Sequence, residues 1–501
     1  MREKDDFLKT NEIPAILIAA NYVLASVYFF LIAFYFKPGN PYLFGLLVFT
    51  EVFHIWQAFT FWYTISALKA PERKFDPNFN PPVDVFITVC GEPVEIVEET
   101  AIAALNLDYP KFKIYLLNDG FVRNKKNWQE IEALAERLKI GCITRRVPGG
   151  AKAGNINNGL ALSGAEFVAV FDADHVPRPD FLRKTVGYFS DDKVAFVQTP
   201  QYYKNHADNY ITSGAWDQQE LFFGPICRGK DRMNSAFMCG TNMVLRRSAI
   251  MQVGGMCEDN IAEDFATSVF VHQKGWKSVY VPELLAEGLA PEDFRSYSRQ
   301  QYRWARGSLE VLFWYNPLFR KGLSFKQRLQ YLASASYYFS GAVILINAIL
   351  PVIFFFTGQV PLVISTMSLA AIFLPYIFLT VYTLGVATNF SYSYKAIAFS
   401  IGLFDAHLRA IVSVLFGKRD AFSVTAKRSE AGNYIHMVIP QLIYDGIVVA
   451  GVFIAAARGG ITPAFLSNLA WAFLNVIIFS VFMAAAFPQA QKVREPVRVA
   501  A

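Results

Sequence analysis

The sequence predicts a mainly parallel α/β domain joined to a bundle of membrane-spanning α-helices. Of the 501 residues, 53% are hydrophobic and 18% are charged, and the mean hydropathy is +0.27. A wholly soluble protein rarely has such a composition. The apolar residues concentrate towards the two ends and leave a polar block at 69–328. Inside this block, the strand-like runs 83–89 and 112–117 flank a helix-like segment, 94–105, and another strand-like run follows at 167–171. Strands that alternate with helices are typical of a parallel sheet covered on both faces.

Six apolar stretches are predicted to span the membrane, because each exceeds the ~20 residues needed to cross about 30 Å of hydrocarbon. Two of them precede the polar block and four follow it, so both termini lie on the same side. The stretches are 14–36, 43–67, 331–356, 361–387, 435–457 and 463–487.

Basic residues predict which side of the membrane is cytoplasmic. They cluster beside the polar block and in both terminal segments, whereas the opposite loops carry only Lys37 and Arg458. By the positive-inside rule, the polar block and both termini are therefore cytoplasmic.

The apolar stretch 395–416 differs from the six spans because it contains Asp405, His407 and Arg409. A charge at the centre of a span costs about 2.5–3.5 kcal/mol on the insertion scale, so a helix lying in the membrane interface is the preferred interpretation. If this stretch crossed the membrane instead, the basic tail would lie outside.

The predicted segments are an N-terminal transmembrane pair (1–68), a cytoplasmic domain (69–328), a transmembrane pair (329–390), an interfacial helix and the loop after it (391–434), a C-terminal transmembrane pair (435–487) and a cytoplasmic tail (488–501).

Two carboxylates follow the strand-like run 167–171 directly. The run is apolar throughout, as in a strand buried on both faces, and ends in Asp172 and Asp174. Open α/β sheets bind ligands at the carboxyl ends of their strands, and Mg²⁺ usually binds through one or two carboxylates together with substrate phosphates. The pair therefore predicts a cation site for a phosphorylated substrate. The alternative is the capped start of a helix before Pro177.

Two further motifs lie at predicted strand ends or helix starts. Asp119 follows the strand at 112–117 and could accept hydrogen bonds from a base or ribose, although an ordinary turn also explains it. The glycine-rich stretch 148–159 opens a helix, and its free amides together with Lys152 suit a diphosphate. It is not a Walker loop, because it lacks the Gly-Lys-Ser/Thr ending.

Two more motifs precede the second group of spans. Glu263 and Asp264 directly precede an apolar helix and are candidate catalytic residues. The alternative interpretation is that they are acidic residues that stabilise the start of this helix. The stretch 299–307 combines arginine and glutamine side chains with the indole of Trp304. It could cradle a pyrophosphate and stack on a sugar ring, or it could be a basic cluster at the membrane surface.

Several classes of function are excluded or unsupported. The five cysteines all fall in the polar block without Cys-x-x-Cys or zinc-type spacing, so we expect reduced thiols. No nucleic-acid module is recognisable. No cleavable signal is present, because the first apolar run is too long.

The order of these motifs resembles that of the processive family 2 glycosyltransferases, the bacterial cellulose synthase and curdlan synthase class. The similarity extends over roughly 40–430 and includes the stretches 198–200 and 237–241. Phe-x-Val-Thr-x-Lys at 422–427 matches the gating loop of this family. The motifs in chain order are Asp119, Lys152, Asp172-x-Asp174, Glu263-Asp264 and Gln300-x-x-Arg303-Trp304.

The resemblance implies a GT-A fold and a role for each motif. Asp264, preceded by Glu263, would be the general base, and Asp172 and Asp174 would hold the nucleotide and Mg²⁺ or Mn²⁺. UDP binding would involve Thr88, Glu92, Asp119, Lys152, Asp172, Gln300, Arg303 and Trp304. Acceptor binding would involve Trp304, Phe237, Cys239, Gly240 and Thr241, and the gating loop would act through Phe422, Val424, Thr425 and Lys427.

The implied function is that of a processive, inverting β-glycan synthase in the bacterial inner membrane. It would polymerise glucose from UDP-glucose into a β-1,4, β-1,3 or mixed glucan and translocate the chain. Its expected partners are the UDP-sugar, the nascent polysaccharide, membrane lipids and accessory subunits of the membrane or periplasm, with no nucleic acid. The alternatives are a chitin- or hyaluronan-type synthase that uses UDP-N-acetylglucosamine and a non-processive transferase to a lipid carrier. A non-enzymatic transporter would leave the cytoplasmic carboxylates without a role.

The sequence departs from the family pattern at two motifs. Ala262 replaces a threonine before Glu263 and Asp264, so a helix-capping hydroxyl is lost, and Cys90 and Gly91 replace Tyr-Asn before Glu92. The chain ends soon after the last span, so we expect no cyclic-di-GMP-binding PilZ domain. Polar residues in the spans are candidates to line a polymer channel, although interfacial aromatic belts explain most of the aromatic residues. The channel candidates are Glu51, His54, Gln57, Tyr337, Tyr338, Gln441 and Asp445.

Overall fold

The computed structural model of the chain describes residues 8–417 and 432–488. The predicted gating-loop residues Phe422, Val424, Thr425 and Lys427 lie outside the described residues, as does 489–501 of the predicted tail.

A seven-stranded sheet forms the centre of the polar block. Its strand order is β7-β5-β6-β4-β1-β2-β3, and among these described strands β6 alone runs antiparallel to its neighbours. The predicted mainly parallel α/β architecture is therefore confirmed. The strands are β1 (Val83–Val89), β2 (Phe112–Asn118), β3 (Gly141–Thr144), β4 (Phe167–Asp172), β5 (Val194–Gln198), β6 (Met243–Arg246) and β7 (Lys277–Tyr280).

Helices cover both faces of this sheet and continue into the apolar ends of the chain. A smaller three-stranded sheet, Val176–Pro177, Ala286–Gly288 and Tyr202–Tyr203, extends the carboxyl edge of the main sheet. The helices are α1 (Ala15–Phe30), α2 (Pro41–Ile65), α3 (Val94–Leu105), α4 (Trp128–Leu138), α5 (Ala151–Leu162), α6 (Phe181–Thr185), α7 (Tyr210–Leu221), α8 (Cys227–Arg232), α9 (Arg247–Gln252), α10 (Glu263–Gln273), α11 (Phe294–Glu310), α12 (Phe325–Ser336), α13 (Ser340–Thr357), α14 (Thr366–Ala387), α15 (Tyr394–Gly402), α16 (Phe404–Leu415), α17 (Ile439–Gly459) and α18 (Pro463–Met483).

The central strands are buried on both faces, which explains their continuous apolar sequences. Every residue of β1 is buried. Val85 and Ile87 pack with α3 and α4 on one face, whereas Phe86 packs with α5 on the other. Burial of each such side chain contributes about 1.5–3 kcal/mol, so the sheet is a rigid base for the polar residues at its carboxyl edge.

Seven helices of the described chain are long and apolar enough to cross a membrane, one more than predicted. Six of them coincide with the predicted stretches. The candidates are Ala15–Tyr35, Pro41–Ile65, Phe325–Thr357, Thr366–Ala387, Tyr394–Leu415, Ile435–Gly459 and Pro463–Ala486.

The seventh candidate, Tyr394–Leu415, is the stretch that the sequence assigns to the interface. The helix breaks at Leu403 into α15 and α16, and 61% of it is buried in the protein, against 39% or less for the others. α16 packs along α11 of the catalytic domain, and α15 packs on α7 and α18. These contacts favour the interfacial interpretation, which remains a proposal.

Candidate active site

The carboxyl ends of β1, β2 and β4 open into a cavity that residues of α10 and α11 also line. Nearly all the predicted site residues of the described chain line it, so residues far apart in sequence meet here. Of the predicted residues, the lining includes Thr88, Glu92, Asp119, Lys152, Asp172, Asp174, Cys239, Gly240, Glu263, Asp264, Gln300, Arg303 and Trp304.

Two predicted acceptor residues do not line the cavity. The ring of Phe237 packs edge-on against Phe265, with the ring centroids 4.8 Å apart. The hydroxyl of Thr241 accepts a hydrogen bond of 2.9 Å from the backbone N–H of Asp172. Phe237 and Thr241 therefore support the residues around the cavity without lining it.

Asp172, Asp174 and His175 form a cluster that could hold a divalent cation. Their ligand atoms all lie within 4.8 Å of one another. His175 is buried and its Nε2 has no hydrogen-bond partner within the described structure. Gly288 makes room for the imidazole, since a Cβ there would lie 2.3 Å from Nε2. Two carboxylates and an imidazole suit a divalent metal.

Lys152 forms an ion pair with Asp172 of this cluster. Its ammonium group donates to Asp172 Oδ1, which also accepts a bond of 3.1 Å from the Thr88 hydroxyl. Burial lowers the pKa of Lys152, but the negative charges of Asp172 and Glu263 have the larger combined effect, so the pKa is raised above its usual value. Burial likewise opposes ionisation of Asp172, yet Lys152 and His175 hold its pKa below the usual value. Asp172 is therefore a carboxylate and Lys152 an ammonium.

Glu263 and Asp264 begin α10 on the opposite wall of the cavity. Burial, and then the charge of Glu263, raises the pKa of Asp264 to about 7. Burial also raises the pKa of Glu263, while Lys152 opposes the shift. Asp264 Oδ1 accepts a hydrogen bond of 2.7 Å from the N–H of Phe265. A carboxyl group that titrates near neutral pH is suited to act as a general base.

Small residues let the walls approach Asp264 closely. Gly240 has φ +82°, and a Cβ there would lie 3.1 Å from Asp264 Oδ2 and 3.5 Å from Lys152 Nζ. Ala262 provides no side-chain cap to α10, but its N–H donates to Asn260 Oδ1 at 2.7 Å. A Cβ on Gly307 of α11 would lie 2.5 Å from the Ala262 Cβ. The pair Ala262 and Gly307 therefore brings α11 against the start of α10.

α11 carries Gln300, Arg303 and Trp304 into the cavity. The helix begins at Asp293, whose side chain accepts from the N–H of Ser296. Burial lowers the pKa of the Arg303 guanidinium, and Glu263 and Asp172 oppose this shift. Arg303 thus faces both the carboxylates of α10 and the metal-type cluster, so it can contact the phosphates of a bound nucleotide.

Asp119 is held by an arginine that the sequence interpretation missed. Arg145 donates to both carboxylate oxygens, Nε to Oδ1 at 2.7 Å and Nη2 to Oδ2 at 2.6 Å, and both side chains are buried. Burial raises the pKa of Asp119, while Arg145 opposes this shift. Arg145 follows β3, the edge strand beside β2, so its position after a strand end was the available signal. Arg145 itself does not line the cavity. The polar lining residues that the sequence interpretation missed are Arg123, Asn155, His175, Gln201 and Tyr203.

Comparisons with known proteins show what this chain is similar to. A family model described as glycosyl transferase family group 2 matches residues 167–390. The chain is 36% identical over 273 residues to a cellulose synthase catalytic subunit (UDP-forming) of Xanthomonas axonopodis pv. citri, covering 53% of the chain and 37% of the relative. It is 31% identical over 477 residues to cellulose synthase 1 of Komagataeibacter xylinus, covering 89% of the chain and 30% of the relative. The chain thus spans 30–37% of the length of these two relatives.

A solved structure with the same fold is a mannosyltransferase of Pyrobaculum calidifontis in complex with GDP-mannose and Mn²⁺. The TM-score is 0.53, with 18% sequence identity, and the match covers 75% of this chain and 100% of the other. At this identity the likeness shows the fold, which confirms the GT-A domain that the motifs imply.

Proposed function

We propose that this chain, which carries a family 2 glycosyltransferase domain of the cellulose synthase class, is a processive, inverting β-glycan synthase. Its donor is UDP-glucose, and its product is a β-1,4, β-1,3 or mixed glucan. The main support is that one cavity brings together a metal-type cluster, a carboxyl group with a raised pKa and the Gln-x-x-Arg-Trp helix, α11. These are the parts that a transfer from a nucleotide sugar requires.

In the proposed reaction, Asp264 removes the proton of the acceptor hydroxyl as the oxygen attacks the anomeric carbon of the donor. The new glycosidic bond forms as the bond to UDP breaks, and attack from the opposite face converts an α-linked donor into a β-linked product. UDP departs as a diphosphate and needs no proton. Asp264 is the only base required in this scheme, and Glu263 keeps its pKa raised.

The other residues bind and orient the two substrates. Thr88, Glu92 and Asp119 form the uridine pocket, and Lys152 and Arg303 face the diphosphate. Gln300 and Trp304 seat the terminal sugar of the acceptor, together with Cys239 and Gly240. Mg²⁺ or Mn²⁺, held by Asp172, Asp174 and His175, would neutralise charge on the leaving diphosphate.

The polymer is proposed to leave through the membrane helices that follow α11. Tyr337 and Tyr338 lie between α12 and α13, with their rings 6.0 Å and 5.2 Å from His407. The side chain of Gln57 in α2 donates to Ser336 Oγ at 3.1 Å. This polar region adjoins the membrane end of α11 and supports an exit there. The gating loop at 422–427 would close the cavity over the donor.

Three of the channel candidates have other partners. Glu51 accepts a bond of 2.9 Å from the Tyr28 hydroxyl, and His54 bonds to the Tyr376 hydroxyl at 2.8 Å. These contacts tie α1, α2 and α14 together, so we assign Glu51 and His54 to helix packing. Gln441 of α17 is buried and donates to the Gly402 carbonyl at 2.7 Å, so we assign it to helix packing as well. Asp445 remains a channel candidate.

The protein is proposed to reside in the bacterial inner membrane with the catalytic domain and both termini in the cytoplasm. Supporting this, positive charges concentrate on the loops beside the catalytic domain. The proposed segments remain 1–68, 69–328, 329–390, 391–434, 435–487 and 488–501. The nascent polysaccharide, membrane lipids and accessory membrane or periplasmic subunits are the proposed partners besides the UDP-sugar.

Labelled-sugar incorporation by the full chain in lipid nanodiscs tests this function. UDP-glucose, UDP-N-acetylglucosamine and GDP-mannose are supplied separately with Mg²⁺ or Mn²⁺, and Asp264→Asn gives the background. We expect a polymer from UDP-glucose alone, and the linkage-specific hydrolase that digests it identifies the linkage. A polymer from UDP-N-acetylglucosamine would establish the chitin- or hyaluronan-type alternative. Label found only in short, lipid-extractable products would reject processive synthesis.

A further inference from the structure

A second cavity, of about 600 Å³, lies beside a different face of α11. Arg295, Ser298, Arg299 and Tyr302 line it and recur at spacings of three and four residues, so they share one face of the helix. Gln300, Arg303 and Trp304 project from another face into the catalytic cavity. The remaining lining residues are Arg409 of α16 and His436 and Met437, which precede α17.

The lining of this basic cavity is rich in basic side chains. Three arginines and a histidine line it, and no acidic side chain of the described residues does so. Arg409 pairs with Asp405 at 3.0 Å, and Asp405 also accepts a bond of 3.3 Å from Gln441. Arg299 is exposed and makes no ion pair within residues 8–417 and 432–488. An anion in the cavity would accept hydrogen bonds from these basic side chains.

The arginines are arranged so that they can bind an anion. The Arg295 guanidinium stacks over the Tyr434 ring, 5.6 Å from its centroid, and Asp405 restrains Arg409. Guanidinium groups bind phosphate through paired, directed hydrogen bonds, which suits arginine better than lysine to this task. The hydroxyl of Ser298 provides a further donor on the same wall.

The surroundings of the basic cavity indicate where the anion comes from. His436 and Met437 lie immediately before α17, one of the apolar helices long enough to span the membrane. At the end of α16, the side chains of Leu415 and Phe416 are 62% and 76% exposed. With the topology proposed above, the cavity lies near the membrane boundary on the side of the catalytic domain. Basic pockets between membrane helices at such a boundary bind anionic lipid headgroups.

We propose that the basic cavity binds the phosphate of an anionic phospholipid headgroup. The bound headgroup would connect α11, α16 and the start of α17, three elements that come from separate stretches of the chain. Since α11 also carries Gln300, Arg303 and Trp304, lipid occupancy would hold the acceptor-side wall of the catalytic cavity. The lipid site is separate from the donor site and does not depend on which sugar is transferred.

Lipid binding to the purified full chain tests this site. Short-chain dioctanoyl phosphatidylglycerol is titrated against the protein in a neutral detergent, with dioctanoyl phosphatidylcholine and inorganic phosphate as parallel probes. We expect saturable binding of phosphatidylglycerol and much weaker binding of the other two. Phosphate binding as tight as that of phosphatidylglycerol would replace the lipid with a free anion. Equal binding of the two lipids would reject recognition of the headgroup charge.

Substitutions of lining residues test whether the lipid binds in the basic cavity. Arg299→Gln should weaken phosphatidylglycerol binding about fivefold, the effect of about 1 kcal/mol for one basic residue near a membrane surface. Adding Arg409→Gln should weaken it further. Lys326→Gln is the matched control, because Lys326 is exposed at the start of α12 but does not line the cavity. UDP binding verifies that each variant is folded. Unchanged lipid affinity in the double variant, or an equal loss in the control, would overturn the proposal.

Discussion

The catalytic cavity has two walls that are built in different ways. On the sheet side, Thr88 lies beside Asp172 because β1 and β4 are hydrogen-bonded neighbours in register. On the helix side, Asp264 faces Arg303 because α10 and α11 pack through Ala262 and Gly307. Strand pairing fixes the first arrangement through backbone bonds, whereas the second depends on side chains small enough for close approach. The sheet wall should therefore tolerate local changes better than the helix wall, unless the change removes a reacting group.

The largest effect is expected from removing the proposed base on the helix wall. Asp264→Asn should lower turnover by about 10²–10⁴-fold, because a positioned general base contributes that much. UDP affinity should change little, since Lys152 and Asp172 on the sheet wall remain. Turnover is measured by sugar incorporation and affinity by UDP titration. A loss of UDP affinity as large as the loss of turnover would make Asp264 a nucleotide ligand instead.

The sheet wall is tested by breaking the buried pair of Arg145 and Asp119. Arg145→Gln leaves a buried carboxylate without its partner, so the free energy of unfolding should fall by about 3–5 kcal/mol. The neighbouring variant Arg146→Gln is the control. Arg146 is largely exposed, pairs with the partly exposed Glu132 at 3.3 Å and lies over the rings of Phe121 and Trp128, so its loss should cost about 1–2 kcal/mol. Thermal melting of the detergent-solubilised protein measures both. Equal shifts would mean that Arg145 does not stabilise the wall.

The close approach of the two helices is tested at Gly307. Gly307→Ala places a methyl group within 2.5 Å of the Ala262 Cβ, so α11 must move away from α10. Overpacking of this kind costs about 1–3 kcal/mol, although alanine is the better helix former. We expect reduced turnover and a lower melting temperature.

A second substitution shows whether the contact itself is responsible. Ala262→Gly in the Gly307→Ala background removes the Ala262 methyl group, with which the new side chain would collide. This second substitution should restore part of the turnover. If Gly307→Ala is neutral, or if the double variant is no better than the single one, α11 does not depend on this contact.

The two walls also differ in how far the sequence predicted them. The strand ends at Asp119 and Asp172 could be predicted, because a buried parallel strand has a continuous apolar run and its carboxyl end is a known place for ligands. The contact of Ala262 with Gly307 could not, because two small residues 45 positions apart give no periodic signal. Arg145 and Asp119 both follow strand ends, but that position does not indicate which side chains pair, so their bond was missed. His175 could have been included, since it directly follows the Asp-x-Asp motif.

The interfacial stretch shows a further limit. By length and hydropathy, Tyr394–Leu415 is as good a span as its neighbours. The charged residues Asp405, His407 and Arg409 distinguish it in the sequence. The break at Leu403 and the packing of α16 on α11 depend on the folded domain, so the sequence could not predict them.

The smallest expected effect is on the pH dependence of the helix wall. Because burial and Glu263 raise the pKa of Asp264 to about 7, the base is protonated below that pH. Activity (kcat/KM) should therefore fall about tenfold per pH unit as the pH drops below 7 and level off above it. Glu263→Gln removes a neighbouring negative charge, so it should lower the pKa of Asp264 and move the acidic limb to lower pH. Sugar incorporation across pH 5–9 at constant ionic strength measures both profiles.

An acidic limb that stays in place in Glu263→Gln would show that Glu263 does not set the pKa of the base. A limb that persists in the residual activity of Asp264→Asn would belong to another group, most directly to the carboxylates of the sheet wall.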